Sequence, residues 1–220
     1  EFGLWKTHLG AADGFEVMDS LGKEWKTMEI TFKLYPVCHM THSFADCMFR
    51  ARNEEHLTVE DISSVECRIE DRCYHIVCEP DQAKKFPATD YMMRFSLPYV
   101  AAVSFVKGKL GPREIDLRLV KDSRIREMMD KIQCVSDDSK KNPGYFPGWI
   151  RITCRDGREI VLDQRYEKGT AQNPVDLDAV MMKFNSNMEI HYPEDRIGKI
   201  ASTLQKQENT ADLLGLLECR

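Results

Sequence analysis

Polar and apolar residues alternate from Met28 to Lys33, and the alternation predicts a strand. Pro36 takes the next residues out of helix and biases Tyr35 toward extended backbone. From His42 to Arg52 the spacing becomes helical, with Phe44, Cys47 and Met48 at i, i+3 and i+4, and Thr41 stands as the N-cap. Val65, Cys67 and Ile69 alternate with Glu66, Arg68 and Glu70, a half-buried strand. Tyr74, Ile76 and Cys78 suggest a further strand. Residues 91 to 107 are mostly apolar with helical character, and Gly108 suits the position after a helix end. Pro98 places a helix start, or a kink, within that run. Ile125, Met128, Met129 and Ile132 mark an amphipathic helix that turns extended from Ile132 to Val135. Trp149 to Cys154 and Glu159 to Leu162 flank Asp156-Gly157, a hairpin signal.

After Gly169 the period changes. Leu177, Val180, Met181, Phe184 and Met188 form one helical stripe, with Asp176 and Asp178 at its start. Ile197, Ile200, Ala201 and Leu204 form a second. Leu213, Leu214 and Leu217 form a third, with Thr210 placed to cap it. The methionine-rich stripes are expected to be core. Residues 1–27, with Gly10, Gly14 and Gly22, keep no sustained period and resemble the end of something that starts earlier. The expected organisation is therefore an α+β domain over 28–170 and a helical segment over 171–220.

The 220 residues carry a net charge of −5, with no basic block that would serve as a nucleic-acid footprint. No apolar stretch is long enough for a membrane-spanning helix, and no signal peptide is visible. The first residues are Glu-Phe-Gly rather than Met, so an upstream portion is expected. Eight cysteines are scattered with no Cys-x-x-Cys pair, which fits reduced thiols in a cytosol-like compartment better than a disulfide scaffold. Cys38, His39 and His42 lack a second ligand cluster, so no metal is expected there.

The densest chemistry lies in Lys33-Leu-Tyr35-Pro36-Val-Cys38-His39-Met-Thr41-His42. Two imidazoles, a thiol, a phenol and an ammonium sit around a turn that opens a helix. Free N–H groups and the dipole at a helix start favour negative charge. Imidazole titrates near neutral pH, which makes His39 and His42 the natural general acid/base candidates. His8, His56, His75 and His191 stand in no motif and are read as structural.

These residues resemble the MmgE/PrpD family. The resemblance is carried by Lys33-x-Tyr35-Pro36-x-Cys38-His39-x-x-His42, then Cys78-Glu79-Pro80, Pro87-Ala88-Thr89 and Arg94-Phe95-Ser96-Leu97-Pro98-Tyr99. It continues through Gly169-x-x-x-Asn173-Pro174 to Lys183-Phe184. The motifs fall in the family's order and correspond to about its C-terminal half. That family includes 2-methylcitrate dehydratase, cis-aconitate decarboxylase and iminodisuccinate epimerase.

The resemblance implies a two-domain homodimeric subunit in which an α+β lid is inserted into a large helical domain. Residues 1–27 would end that helical domain and 171–220 would return to it. It also implies catalysis without metal or organic cofactor on a small di- or tricarboxylate, in a cleft between lid and helical domain. Part of the catalytic equipment would come from an N-terminal half not included in this sequence. By resemblance, Lys33 and Arg94 would bind substrate carboxylates, and Cys38, His39, His42 and Tyr99 would line the reacting side. Cis-aconitate decarboxylases carry histidine where Cys38 stands, a departure that favours a 2-methylcitrate dehydratase-like hydro-lyase. An epimerase, a decarboxylase and a non-catalytic binding or assembly module that keeps the fold are the alternatives. A cytoplasmic location is expected, or a mitochondrial one in a eukaryote.

Overall fold

The computed structural model describes residues 7–8, 19–206 and 210–217. The chain divides into two compact units, Glu1–Thr31 and Phe32–Arg220. In the first, Lys26–Glu29 form a 3-10 turn closed by a Lys26–Glu29 ion pair of 2.9 Å. The strand expected over Met28–Lys33 is absent. Its alternation has no partner strand, and Ile30 and Phe32 are exposed. Gly10 and Gly14 lie outside the described residues.

In the second unit, a 3-10 turn at His39–Thr41 runs into helix α1, His42–Asn53. Thr41 is the N-cap residue, but its hydroxyl turns back to the Cys38 carbonyl at 2.7 Å. Strand β1 (Ile62–Ile69) follows, and then helix α2 (Asp71–Val77). The segment Tyr74–Cys78 is therefore helical, against the strand expected from its alternation. Cys73 and Val77, four residues apart, face the core, while Ile76 is exposed. Short helices α3 (Asp81–Lys85) and α4 (Asp90–Arg94) lead to α5 (Leu97–Lys107).

Helix α5 is buried on nearly every side, as its unbroken apolar sequence requires. Ser96 caps it by accepting the Tyr99 N–H, Pro98 sits in its first turn, and Gly108 ends it with φ +67°. Helix α6 (Ser123–Lys131) then feeds strand β2 (Ile132–Ser136) directly, and β3 (Gly148–Cys154) and β4 (Glu159–Gln164) make the hairpin.

The sheet order is β2-β1-β3-β4, with β1 parallel to β2 and the other pairs antiparallel. The register aligns Cys67 with Cys134 and Ile150, and Ile150 with Leu162. Helices α1 and α6 cover one face of the sheet, and α5 packs against both of them. Val65, Cys67, Ile150 and Ile152 point into this core; Glu66, Arg68, Trp149 and Arg151 point the other way. This is the α+β architecture expected.

Helices α7 (Leu177–Met188), α8 (Glu194–Lys206) and α9 (Thr210–Leu217) complete the chain. Asp176 caps α7 through the Ala179 N–H at 2.9 Å. Helix α7 buries no side chain fully, so its stripe is not part of the core of this chain. Helix α8 buries Ile197 and Ile200. The Thr210 side chain lies outside the described residues. No helix among those described is long and apolar enough to cross a membrane.

Candidate functional site

Residues 33–38 form a strap that three distant segments tie down. The Phe32 N–H donates to the Gly169 carbonyl at 2.9 Å. Gly169 has φ +95°, and a Cβ there would run into the Phe32 carbonyl oxygen, so only glycine fits this crossing. Lys183 Nζ on α7 donates to the Lys33 carbonyl at 2.5 Å. The Arg94 guanidinium donates to the Pro36 carbonyl, and the Cys38 N–H returns a bond to the Arg94 carbonyl at 2.8 Å.

Beside the strap lies a depression of about 480 Å³. Lys33, Arg94 and Lys183 give it three cationic side chains, and Cys38 lies in its wall. Tyr91 and Phe95, their rings tilted by 40° with centroids 4.9 Å apart, give it aromatic lining; Tyr35 and Asn187 also line it. None of its lining residues is acidic. Such a hollow favours anions, and fixed guanidinium and ammonium groups suit carboxylates in particular. Three of the residues singled out from the sequence, Lys33, Cys38 and Arg94, are thus brought together. Lys183 and Asn187 were missed as site residues. Lys183 belonged to a matching motif, but nothing in its spacing tied it to the strap.

His39 and His42 lie under the turn, and neither lines the depression. Their rings meet edge to face at 4.7 Å. His42 is buried, with Nε2 3.4 Å from the Val37 carbonyl and Nδ1 buried without a partner. Burial, with help from His39 and the Lys33 charge, pushes its pKa down to about 3. His39 also titrates below the ordinary histidine range, chiefly through burial. The Glu167 carboxylate opposes that shift and Lys33 adds to it. Both imidazoles are therefore neutral at pH 7.

Tyr99 does not face the depression. Its side chain is buried in the core, and its hydroxyl donates to the Glu114 carbonyl at 2.5 Å. Burial raises its pKa. The expectation of a cleft tyrosine is corrected to a core tyrosine, because its position on α5 faces helices rather than solvent. His56, His75 and His191 are exposed. The seven cysteines among the described residues are free thiols. No group of three or more His, Cys, Asp or Glu among those residues is arranged to hold a metal.

Residues 35–207 match the family model described as the MmgE/PrpD C-terminal domain. The chain belongs to the MmgE/PrpD family. Similar proteins include a mitochondrial 2-methylcitrate dehydratase of Yarrowia lipolytica, 28% identical over 65% of this chain and 28% of that protein. The cis-aconitate decarboxylase of Mus musculus is 24% identical, over 84% of this chain and 38% of its own length. The cis-aconitate decarboxylase-like protein oryM of Aspergillus oryzae is 22% identical over 92% of this chain and 42% of its own. The chain thus spans well under half the length of these MmgE/PrpD relatives. The match begins at Tyr35, so it includes all of the strap except Lys33 and Leu34.

Proposed function

We propose that this chain supplies the lid side of a lyase active site that takes a small di- or tricarboxylate, with 2-methylcitrate-like dehydration as the first reading. The observation that carries this is the depression itself. Three cationic residues line it together with the aromatic Tyr91 and Phe95, and no lining residue is acidic. Lys33 and Arg94 grip carboxylates. Removal of a proton next to a carboxylate builds negative charge on that group, and the same cations stabilise it. The aromatic pair Tyr91–Phe95 suits a hydrocarbon branch such as a methyl group.

The half-buried stripe of α7 and the exposed Leu204 are consistent with packing onto a further helical half and with a homodimeric enzyme. Epimerisation and decarboxylation share the proton chemistry and differ in what leaves. Binding of tricarballylate, a tricarboxylate with no leaving group, tests the reading by calorimetry. Binding that weakens about tenfold or more in Lys33→Ala supports it. Equal binding by both proteins refutes the carboxylate site.

A further inference from the structure

Behind the depression, a chain of polar side chains runs through the core and is not accounted for by substrate binding. Tyr35, which lines the depression, donates its hydroxyl to Asp46 Oδ1 at 2.6 Å. Asp46 is completely buried on α1, one turn after His42. The same Oδ1 lies 3.4 Å from Lys168 Nζ, which reaches the surface. On the other side the Tyr35 ring sits 5.0 Å from His42, and His42 sits 4.7 Å from His39. His39 Nε2 lies 4.0 Å from the buried carboxylate of Glu167. Phe146 holds Glu167 in place by donating its N–H to Oε2 at 3.0 Å.

Along this run of polar side chains three atoms are buried without a hydrogen-bond partner: His39 Nε2, His42 Nδ1 and Asp46 Oδ2. A buried polar atom left unpaired costs on the order of 1–3 kcal/mol, and native proteins normally satisfy it with ordered water. Three such atoms on consecutive turns of one helix start, His42 and Asp46 one turn apart on the same face, are a built polar seat rather than a lapse in packing.

We propose that His39, His42 and Asp46 enclose ordered water and, with Tyr35, Glu167 and Lys168, form a proton relay between the depression and the surface. This rests on the proposed lyase reading, in which each turnover takes a proton from the carbon next to a carboxylate. The relay hands that proton on toward solvent, and the departing hydroxide leaves as water with a proton that solvent returns, so the dehydration is proton-neutral overall. Burial raises the Asp46 pKa, against the pull of Lys168, Tyr35 and the nearby Arg50. Burial, with Lys33, keeps the imidazoles neutral. A neutral imidazole both accepts and donates, which a relay member must do. Within the relay Asp46 is a positioning and proton-holding residue. It reaches the depression only through Tyr35.

The test has two arms on the complete polypeptide. The first is a high-resolution crystal structure, which reads water without any turnover. Ordered water bonded to His42 Nδ1 or Asp46 Oδ2 is expected, and both atoms dry would overturn the proposal. The second compares wild type with Asp46→Asn, and with Tyr35→Phe in case the first variant folds poorly. A relay predicts kcat lowered about 10-fold or more with KM nearly unchanged, and a displaced pH–kcat profile. Wet atoms with wild-type kcat and profile in both folded variants would also overturn it. If the wild type turns over no carboxylate, the lyase reading fails, while the water arm still decides whether the seat is hydrated.

Discussion

His42 offers a stability test worked from its burial. In the unfolded chain it titrates near 6.5; in the fold it is pushed down to about 3. Between those values the unfolded state binds more protons than the native state, so stability rises with pH through that window. The contribution is intact above about pH 6.5, falls away as the pH drops, and levels off below about pH 3. At about pH 5 the unfolded histidine is nearly all protonated and the native one is not, which corresponds to a loss of ~2 kcal/mol relative to about pH 7.5. His39, shifted in the same direction, adds to the slope, while Asp46, with its raised pKa, opposes it. Comparing variants isolates His42. His42→Gln keeps an amide donor near the Val37 carbonyl and removes the titration. Urea unfolding at the two pH values is the assay. The wild type should lose about 2 kcal/mol more than the Gln variant on going to the lower pH. Parallel losses in the two proteins would refute the neutral, buried imidazole.

Four further outcomes are expected. Lys33→Ala should raise KM far more than it lowers kcat, read from steady-state kinetics, because it removes carboxylate binding common to ground and transition states. Tyr99→Phe should cost about 1 kcal/mol of stability in denaturation, from the lost bond to the Glu114 carbonyl, with activity retained. Gly169→Ala should destabilise by about 1–3 kcal/mol or more in the same assay, since it pairs positive φ with a collision at Phe32. On the proposed lyase reading, treating the complete polypeptide with a strong chelator should leave turnover unchanged. Loss restored by one specific divalent ion would contradict that.

The elements that periodicity specified well were those whose burial is decided locally. The amphipathic stripe of α6 and the Asp156-Gly157 hairpin were legible because one face of each meets one core. Tyr74–Cys78 misled because five positions are too few to separate a period of 2 from one of 3.6; the helix buries Cys73 and Val77, four residues apart, and leaves Ile76 exposed. Met28–Lys33 misled because alternation alone does not provide a neighbouring strand. At the site, the strap could be read from its own residues, since a turn opening a helix is local. Lys183, about 150 residues away, and Glu167 reach it only through the Gly169 crossing and the Phe146 tie, which no spacing reveals. Tyr99 shows the converse. A family motif placed it, but the apolar neighbours that fill every face of α5 already marked the segment as core.

Solvent deuterium followed by NMR tests the proposed proton chemistry next to a carboxylate. The complete polypeptide is incubated in deuterated water with 2-methylcitrate, citrate, cis-aconitate and iminodisuccinate in turn. At least one of these acids is expected to take up deuterium at the carbon next to a carboxylate, or to be converted with loss of that proton, and Lys33→Ala to slow the process strongly. A folded, complete protein that neither exchanges nor converts any of the four would contradict it.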